Sequence, residues 1–197
     1  GGNAQAISEL DEAFGTELDN SVIGGVATIG GQLTSNVAAE AVNVDGNADA
    51  QIIDTDTSEY YWNKDSVGLY ADQIKVASDA TLQGIVDATT SASASTTDGD
   101  ANSSSDVGDS RGSQLTNLTV GGIGTLSGLS NLTSSSEASS VVGAANSLAS
   151  LDLAEGLGIE AKLTVASDAT VSGTTTIGSS ADASTTNGVA TATRSEE

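Results

Sequence analysis

The chain repeats itself. Val165–Ala190 lies on Val76–Ala101 without a gap, and 15 of those 26 positions are identical, among them VASDAT, ASTT and the later glycine. Val120–Ala145 falls on Val165–Ala190 at an offset of 45, matching TVGGIGTLSG to TVASDATVSG and SSSEAS to SSADAS. Ile23–Ala48 is the most diverged copy: IGGVATIGG reads against VGGIGTLSG, and Asp45-Gly46 falls on Asn187-Gly188. The copies start 53, 44 and 45 residues apart. A self-similar period of about 20–50 residues is the signature of a repeat architecture, in which each unit buries its apolar face against its neighbours. A bias towards Ala, Ser, Thr and Gly would not by itself phase the Val, Asp, Gly and Asx-Gly positions together.

A finer period runs inside each copy. Val165, Val171, Ile177, Ala183 and Val189 fall every six residues, as do Val120, Leu126, Leu132, Ala138 and Ala144. One aliphatic per hexad, followed by a small residue, suits a narrow β-solenoid. Alternation also fits strands, with Val189, Thr191 and Thr193 on one side and Ala190 and Ala192 on the other. Asp45-Gly46, Asp98-Gly99 and Asn187-Gly188 tolerate positive φ and are hairpin signals. The fold class expected is therefore mainly β. It is a four-copy repeat array, either solenoid-like or a hairpin-based sheet or sandwich, with a short N-terminal helix.

The segments follow from the copies. Residues 1–20 read as a helical arm, because Ile7, Leu10, Phe14 and Leu18 form one stripe at helical spacing. Repeat 1 occupies 21–48, and 49–72 is an insertion that contains aromatic residues. Repeat 2, with an acidic loop, takes 73–112, and repeat 3 takes 113–146. A linker at 147–162 holds a short helix before Gly156, and repeat 4 with the tail occupies 163–197. With no Met at residue 1, the chain reads as a processed product or a segment of something longer.

Two stretches are candidates for binding. Tyr60, Tyr61, Trp62 and Tyr70 lie in the insertion, and the chain has only one other aromatic residue. Insertions in repeat proteins form loops on one face, and aromatic side chains favour contacts. The readings are a small satellite core or a contact for a protein or a glycan. In Asp98–Asp109, the residues Asp98, Asp100, Asn102, Asp106 and Asp109 fall at positions 1, 3, 5, 9 and 12 of a calcium loop. Ser103 replaces the expected glycine, Asp109 replaces the bidentate glutamate, and no helical pattern flanks the stretch. A solvated acidic loop is the plainer reading, with Ca2+ the one cofactor to consider.

Composition narrows the function. The net charge is −22, from 27 acids and five bases. Such a surface repels nucleic acid and anionic membranes. No apolar run approaches the roughly 20 residues of a membrane span. His and Cys are absent, so the usual nucleophile–base pairs have no members here, and the chain reads as non-enzymatic. Five aromatic residues and small side chains make thin layers, with further burial expected from other copies of the chain or other subunits.

LTVASDATVSGTTTIG and LTVGGIGTLSGLSNLT resemble the LTV-x-G-x-A-T repeats of bacteriophage tail fibres and related virion appendages, and SVGLYADQIKV resembles the β-segments between them. The resemblance covers the four copies. It implies a homomultimeric structural subunit of a virion appendage, fibre or decoration, and it carries no catalytic residues across. Bacterial or archaeal surface fibres and surface layers share the same composition and stand as the alternative, so the expected location is the virion or the cell exterior. A third reading is an ice- or glycan-binding module built on threonine rows such as Thr174–Thr176. Those rows do not recur in the third copy.

Overall fold

The computed structural model describes residues 2–10, 13–54, 66–151 and 153–196. Among them are seventeen strands and no helix. The first repeat contributes β1 (Ala4–Leu10), β2 (Ala13–Asp19), β3 (Val22–Ile23) and β4 (Ala27–Val42). The second contributes β5 (Ala48–Asp54), β6 (Ser66–Asp72), β7 (Lys75–Val76) and β8 (Ala80–Asp98). The third contributes β9 (Ala101–Val107), β10 (Ser110–Thr116), β11 (Leu118–Val120) and β12 (Gly124–Val142). The fourth contributes β13 (Ala145–Leu151), β14 (Ala154–Ile159), β15 (Leu163–Val165) and β16 (Ala169–Asn187), and β17 (Ala190–Glu196) follows. They form four sheets: A (β1-β5-β9-β13-β17), B (β2-β6-β10-β14), C (β3-β7-β11-β15) and D (β4-β8-β12-β16).

Among the described residues every strand pair is parallel. That excludes the hairpin layout, whose paired strands run antiparallel. Each strand pairs with its own counterpart one repeat away. Ile23 pairs with Val76, Val76 with Val120, and Val120 with Val165, which are the spacings of 53, 44 and 45 found in the sequence. The Asx-Gly pairs do turn the chain, but from sheet D into sheet A. Gly46 and Gly99 of those pairs take φ of 121° and 134° at that corner, and Gly143, which follows Val142, takes 129° at the equivalent corner, a region open to glycine at little cost.

The expected N-terminal helix is instead β1 and β2. Its stripe does not share one face: Ile7 is exposed, Phe14 meets Tyr70 outside the sheet, and Leu18 packs into the core. The segment pairs in register with β5 and β6, and this long-range pairing overrides local spacing. The linker helix is likewise β13 and β14. Ser147, Ala149 and Leu151 are buried while Leu148 is exposed, which is strand alternation.

The register locates the insertion. Ala4 pairs with Ala48, 44 residues on, whereas Ala13 pairs with Ser66, 53 residues on. The additional nine residues (53 − 44) therefore fall between Asp54 and Ser66. Tyr60, Tyr61 and Trp62 lie in that stretch, outside the described residues.

Sheets A and B face sheet D across a thin interior, and sheet C closes one side. Along β12 the inward positions alternate strictly, from Gly124 through Leu126 and Leu132 to Ala138 and Ser140. The hexad is every third inward position of that alternation. One lobe holds Leu69, Ile74, Val76, Leu82, Leu115, Leu118, Val120 and Leu126. The interior between sheets A and D is filled mainly by alanine, with Ala48, Ala92, Ala94, Ala101, Ala138 and Ala145 all buried. Between the two, a Cβ on Gly84 or Gly128 would overlap the carbonyl oxygen of Gly112 or Gly156 respectively. The walls thus meet backbone to backbone, closer than the usual sheet spacing of about 10 Å. In sheet B, Gly68 and the next residue, Leu69, are both buried, and the alternation slips by one there.

Candidate functional site

The acidic stretch does not close into a loop. Asp98 ends β8, and Asn102 and Asp106 stand on β9. At about 3.3 Å per residue, those two lie roughly 13 Å apart along the strand. Their oxygens are directed at neighbouring repeats. Asp100 Oδ1 accepts from the Ala144 N–H at 2.8 Å, Asn102 Oδ1 from Asn146 Nδ2 at 2.9 Å, and Asp106 Oδ1 from Ser150 Oγ at 2.6 Å. Asp109 lies past the end of β9, before β10. Among the described residues no three His, Cys, Asp or Glu side chains gather as a metal would need. The five predicted ligands are strung along one edge of the stack.

The same bonds form side-chain ladders. Asn102 Nδ2 donates to Asp49 Oδ1 at 2.7 Å, and Asn146 in turn donates to Asn102, so three repeats are linked in a row. Asn131 Nδ2 donates to Asp87 Oδ1 at 2.7 Å in sheet D. Asp79 Oδ1 accepts from the Ile123 N–H at 2.8 Å. Amide ladders of this kind tie identical levels of stacked parallel strands together.

Of the aromatic candidates, Tyr70 is described. It is half-buried on the outer side of sheet B, its ring centroid 5.9 Å from that of Phe14 at 47°. Farther along the same face is an ion-pair cluster. Arg111 Nε donates to Glu155 Oε2 at 3.0 Å, and Nη1 lies 3.4 Å from Glu160 Oε1, which also accepts from Gln114 Nε2 at 2.7 Å. Gln114 is fully buried and the Arg111 side chain is 12% exposed. This cluster joins the third and fourth repeats.

Sheet D presents one full threonine column, Thr28, Thr81, Thr125 and Thr170 in register. Adjacent columns are mixed: Gly30, Gln83, Ser127 and Ser172, then Gln32, Ile85, Leu129 and Thr174. A regular threonine plane is therefore not formed.

Sequence reasoning missed how burial varies from level to level of the stack. Inside the stack Leu126 and Leu132 are 0% and 1% exposed, but their partners in the last repeat, Val171 and Ile177, are 48% and 39% exposed. At the other end Ile23, Ile29 and Leu33 are half-buried, although their partners Val76, Leu82 and Val86 are buried. The outermost strands described are β1, β2, β3 and β4 on one side of the stack and β17, β14, β15 and β16 on the other. No protein-family model, no curated protein and no solved structure matches this chain.

Proposed function

We propose that this chain is a non-enzymatic structural block: a flattened parallel β-solenoid that serves as a self-associating subunit of a virion appendage, fibre or decoration. The observation that carries this reading is the in-register parallel stack of self-similar repeats. Each strand lies on its counterpart one repeat away, and the interior of every level is closed by the levels beside it. A stack of this kind resists bending and can be lengthened without changing its section. The absence of His and Cys from the sequence supports a mechanical role over a catalytic one. The tail-fibre resemblance of the LTV-containing strands favours the virion, and a microbial surface fibre rests on the same physical features.

The test is direct. Light scattering and negative-stain images of the pure chain should show rods of uniform width whose length grows with concentration. Immunogold labelling of the source material should place them on virions. A folded, cooperative monomer at every accessible concentration would refute the self-associating role, and label on the cell surface would move the assignment to a surface fibre.

A further inference from the structure

Cations are scarce on this molecule, and two of them line one recess. The sequence has five basic residues against 27 acids. Arg111 is engaged by Glu155 and Glu160. Lys75 and Lys162, by contrast, line a recess of about 230 Å³ beside sheet C, together with Gln73, Asn117 and Thr119. Three successive repeats supply it. Lys75 pairs with Thr119 in the next repeat. Lys162 precedes Leu163, the partner of Leu118, so it holds the place that Asn117 holds one repeat earlier. The two lysines are thus two levels apart, roughly 10 Å along the stack. Their flexible four-carbon stems let both ammonium groups reach the level of Asn117 and Thr119 between them. All five residues are exposed, so the recess is open to a ligand from outside.

Every side chain that lines the recess brings a hydrogen-bond donor, and none is an acid. Asp72 is the carboxylate that touches the group. Its Oδ2 accepts from Gln73 Nε2 at 3.2 Å and its Oδ1 from Asn117 Nδ2 at 3.4 Å. Each amide keeps a second N–H, so Asp72 holds both amides in place without exhausting them. Among the described residues neither Lys75 nor Lys162 is in an ion pair. The outward positions of sheet C, Val22, Lys75, Thr119 and Thr164, hold no acid, whereas on sheet D Glu137 stands opposite Asp182. Two ammonium groups beside neutral donors suit the charge-assisted bonds of an oxyanion. We propose that this recess binds a single oxyanion, a carboxylate, sulfate or phosphate group, carried on a sugar. The ammonium groups meet the charged oxygens, and the amide oxygens of Gln73 and Asn117 accept from sugar hydroxyls. A lone anion is favoured over a densely charged polymer, because the net charge of −22 repels the rest of a polyanion. The inference goes beyond the structural-block reading and does not require copies to associate.

Saturation-transfer difference NMR on the full chain reads the site whether the chain is single or assembled, because the signal comes from the ligand. Glucuronic acid should receive saturation at millimolar concentration, and glucose should not. Inorganic phosphate, which has the anion without the ring, should displace glucuronate only at a higher concentration. Dextran sulfate should displace it no better than sodium chloride of equal ionic strength. Lys75→Gln with Lys162→Gln should weaken glucuronate binding about tenfold or more. The melting temperature should stay close to that of the parent, since both side chains are exposed. No saturation of glucuronate, or equal affinity in the glutamine variant, overturns the site. Phosphate that binds as tightly as glucuronate overturns the sugar and leaves a free-anion site. Dextran sulfate that binds tightest overturns the preference for a lone anion. A chain that binds glucuronate but never forms rods keeps this site and loses the structural-block reading, and rods that do not bind it do the reverse.

Discussion

Gly128 and Ser130 lie two residues apart on β12, both inward, and substitution to alanine should move stability in opposite directions. A Cβ at Gly128 would overlap the Gly156 carbonyl oxygen, and two paired sheets would have to separate. Gly128→Ala should cost about 3 kcal/mol, at the upper end of overpacking effects. Ser130 is fully buried, and its hydroxyl has no hydrogen-bond partner. Removing it in Ser130→Ala should leave stability unchanged or raise it by up to about 1 kcal/mol. Other inner hydroxyls differ. Ser105 Oγ donates to Thr90 Oγ1 at 2.8 Å and Ser134 Oγ donates to the Ser105 carbonyl at 3.0 Å. Asp79 and Asp168 look alike in sequence, both in VASDAT, and both are exposed. Asp79 nevertheless accepts from the Ile123 N–H of the next repeat, whereas Asp168 stands on the last repeat. Asp79→Ala should cost about 1 kcal/mol and Asp168→Ala less than about 0.5 kcal/mol. Urea midpoints for the four variants check this set; equal effects at Asp79 and Asp168 would argue against the cross-repeat bond.

At the scale of the element, position along the stack decides the cost of a change. Leu126 and Ile177 belong to the same hexad pattern, but the first is sealed between two repeats and the second has one covered side. Leu126→Ala should lose about 2–5 kcal/mol. Ile177→Ala should lose clearly less, because part of its surface already meets water. Thermal melts read the difference, and equal losses would mean that the last repeat is covered by something else. This level is also where the sequence was most and least legible. Self-alignment located the register of sheet D and sheet C, because VASDAT and the later Ser-Thr run carry enough identity to fix one offset. It missed β1, β2, β13 and β14. Those strands are short, and Ile7, Phe14 and Leu148 sit on outer faces, so their apolar residues mimic a helical stripe. The calcium-like spacing has a related origin. Alternate outward positions on a strand, Asn102 and Asp106 among them, fall two or four residues apart, as several oxygen ligands of a cation loop also do. The glycine pinch and the unequal strand count belong to tertiary packing and have no local signature.

For the whole molecule, stacking in register places like charges beside one another. Asp19 pairs with Asp72, Asp45 bridges to Asp98, and Glu137 pairs with Asp182. Each such contact costs up to about 1 kcal/mol in water at low salt, and the net charge of −22 adds a longer-ranged repulsion. Because the Debye length falls from about 10 Å at 0.1 M to about 3 Å at 1 M, the melting temperature should rise over that range. A fall with sodium chloride would show that ion pairs, not like-charge columns, dominate the surface. All of this depends on one claim, that each repeat lies directly on the next in a parallel register. Thr81 on β8 and Thr125 on β12 are paired, and both point away from the core. The most direct measurement is oxidation of the double variant Thr81→Cys with Thr125→Cys, followed by peptide mass spectrometry of the monomer-sized product. The account predicts a disulfide between positions 81 and 125 within one chain, formed without loss of the native circular dichroism. Free thiols, or a disulfide formed only after unfolding, would contradict it.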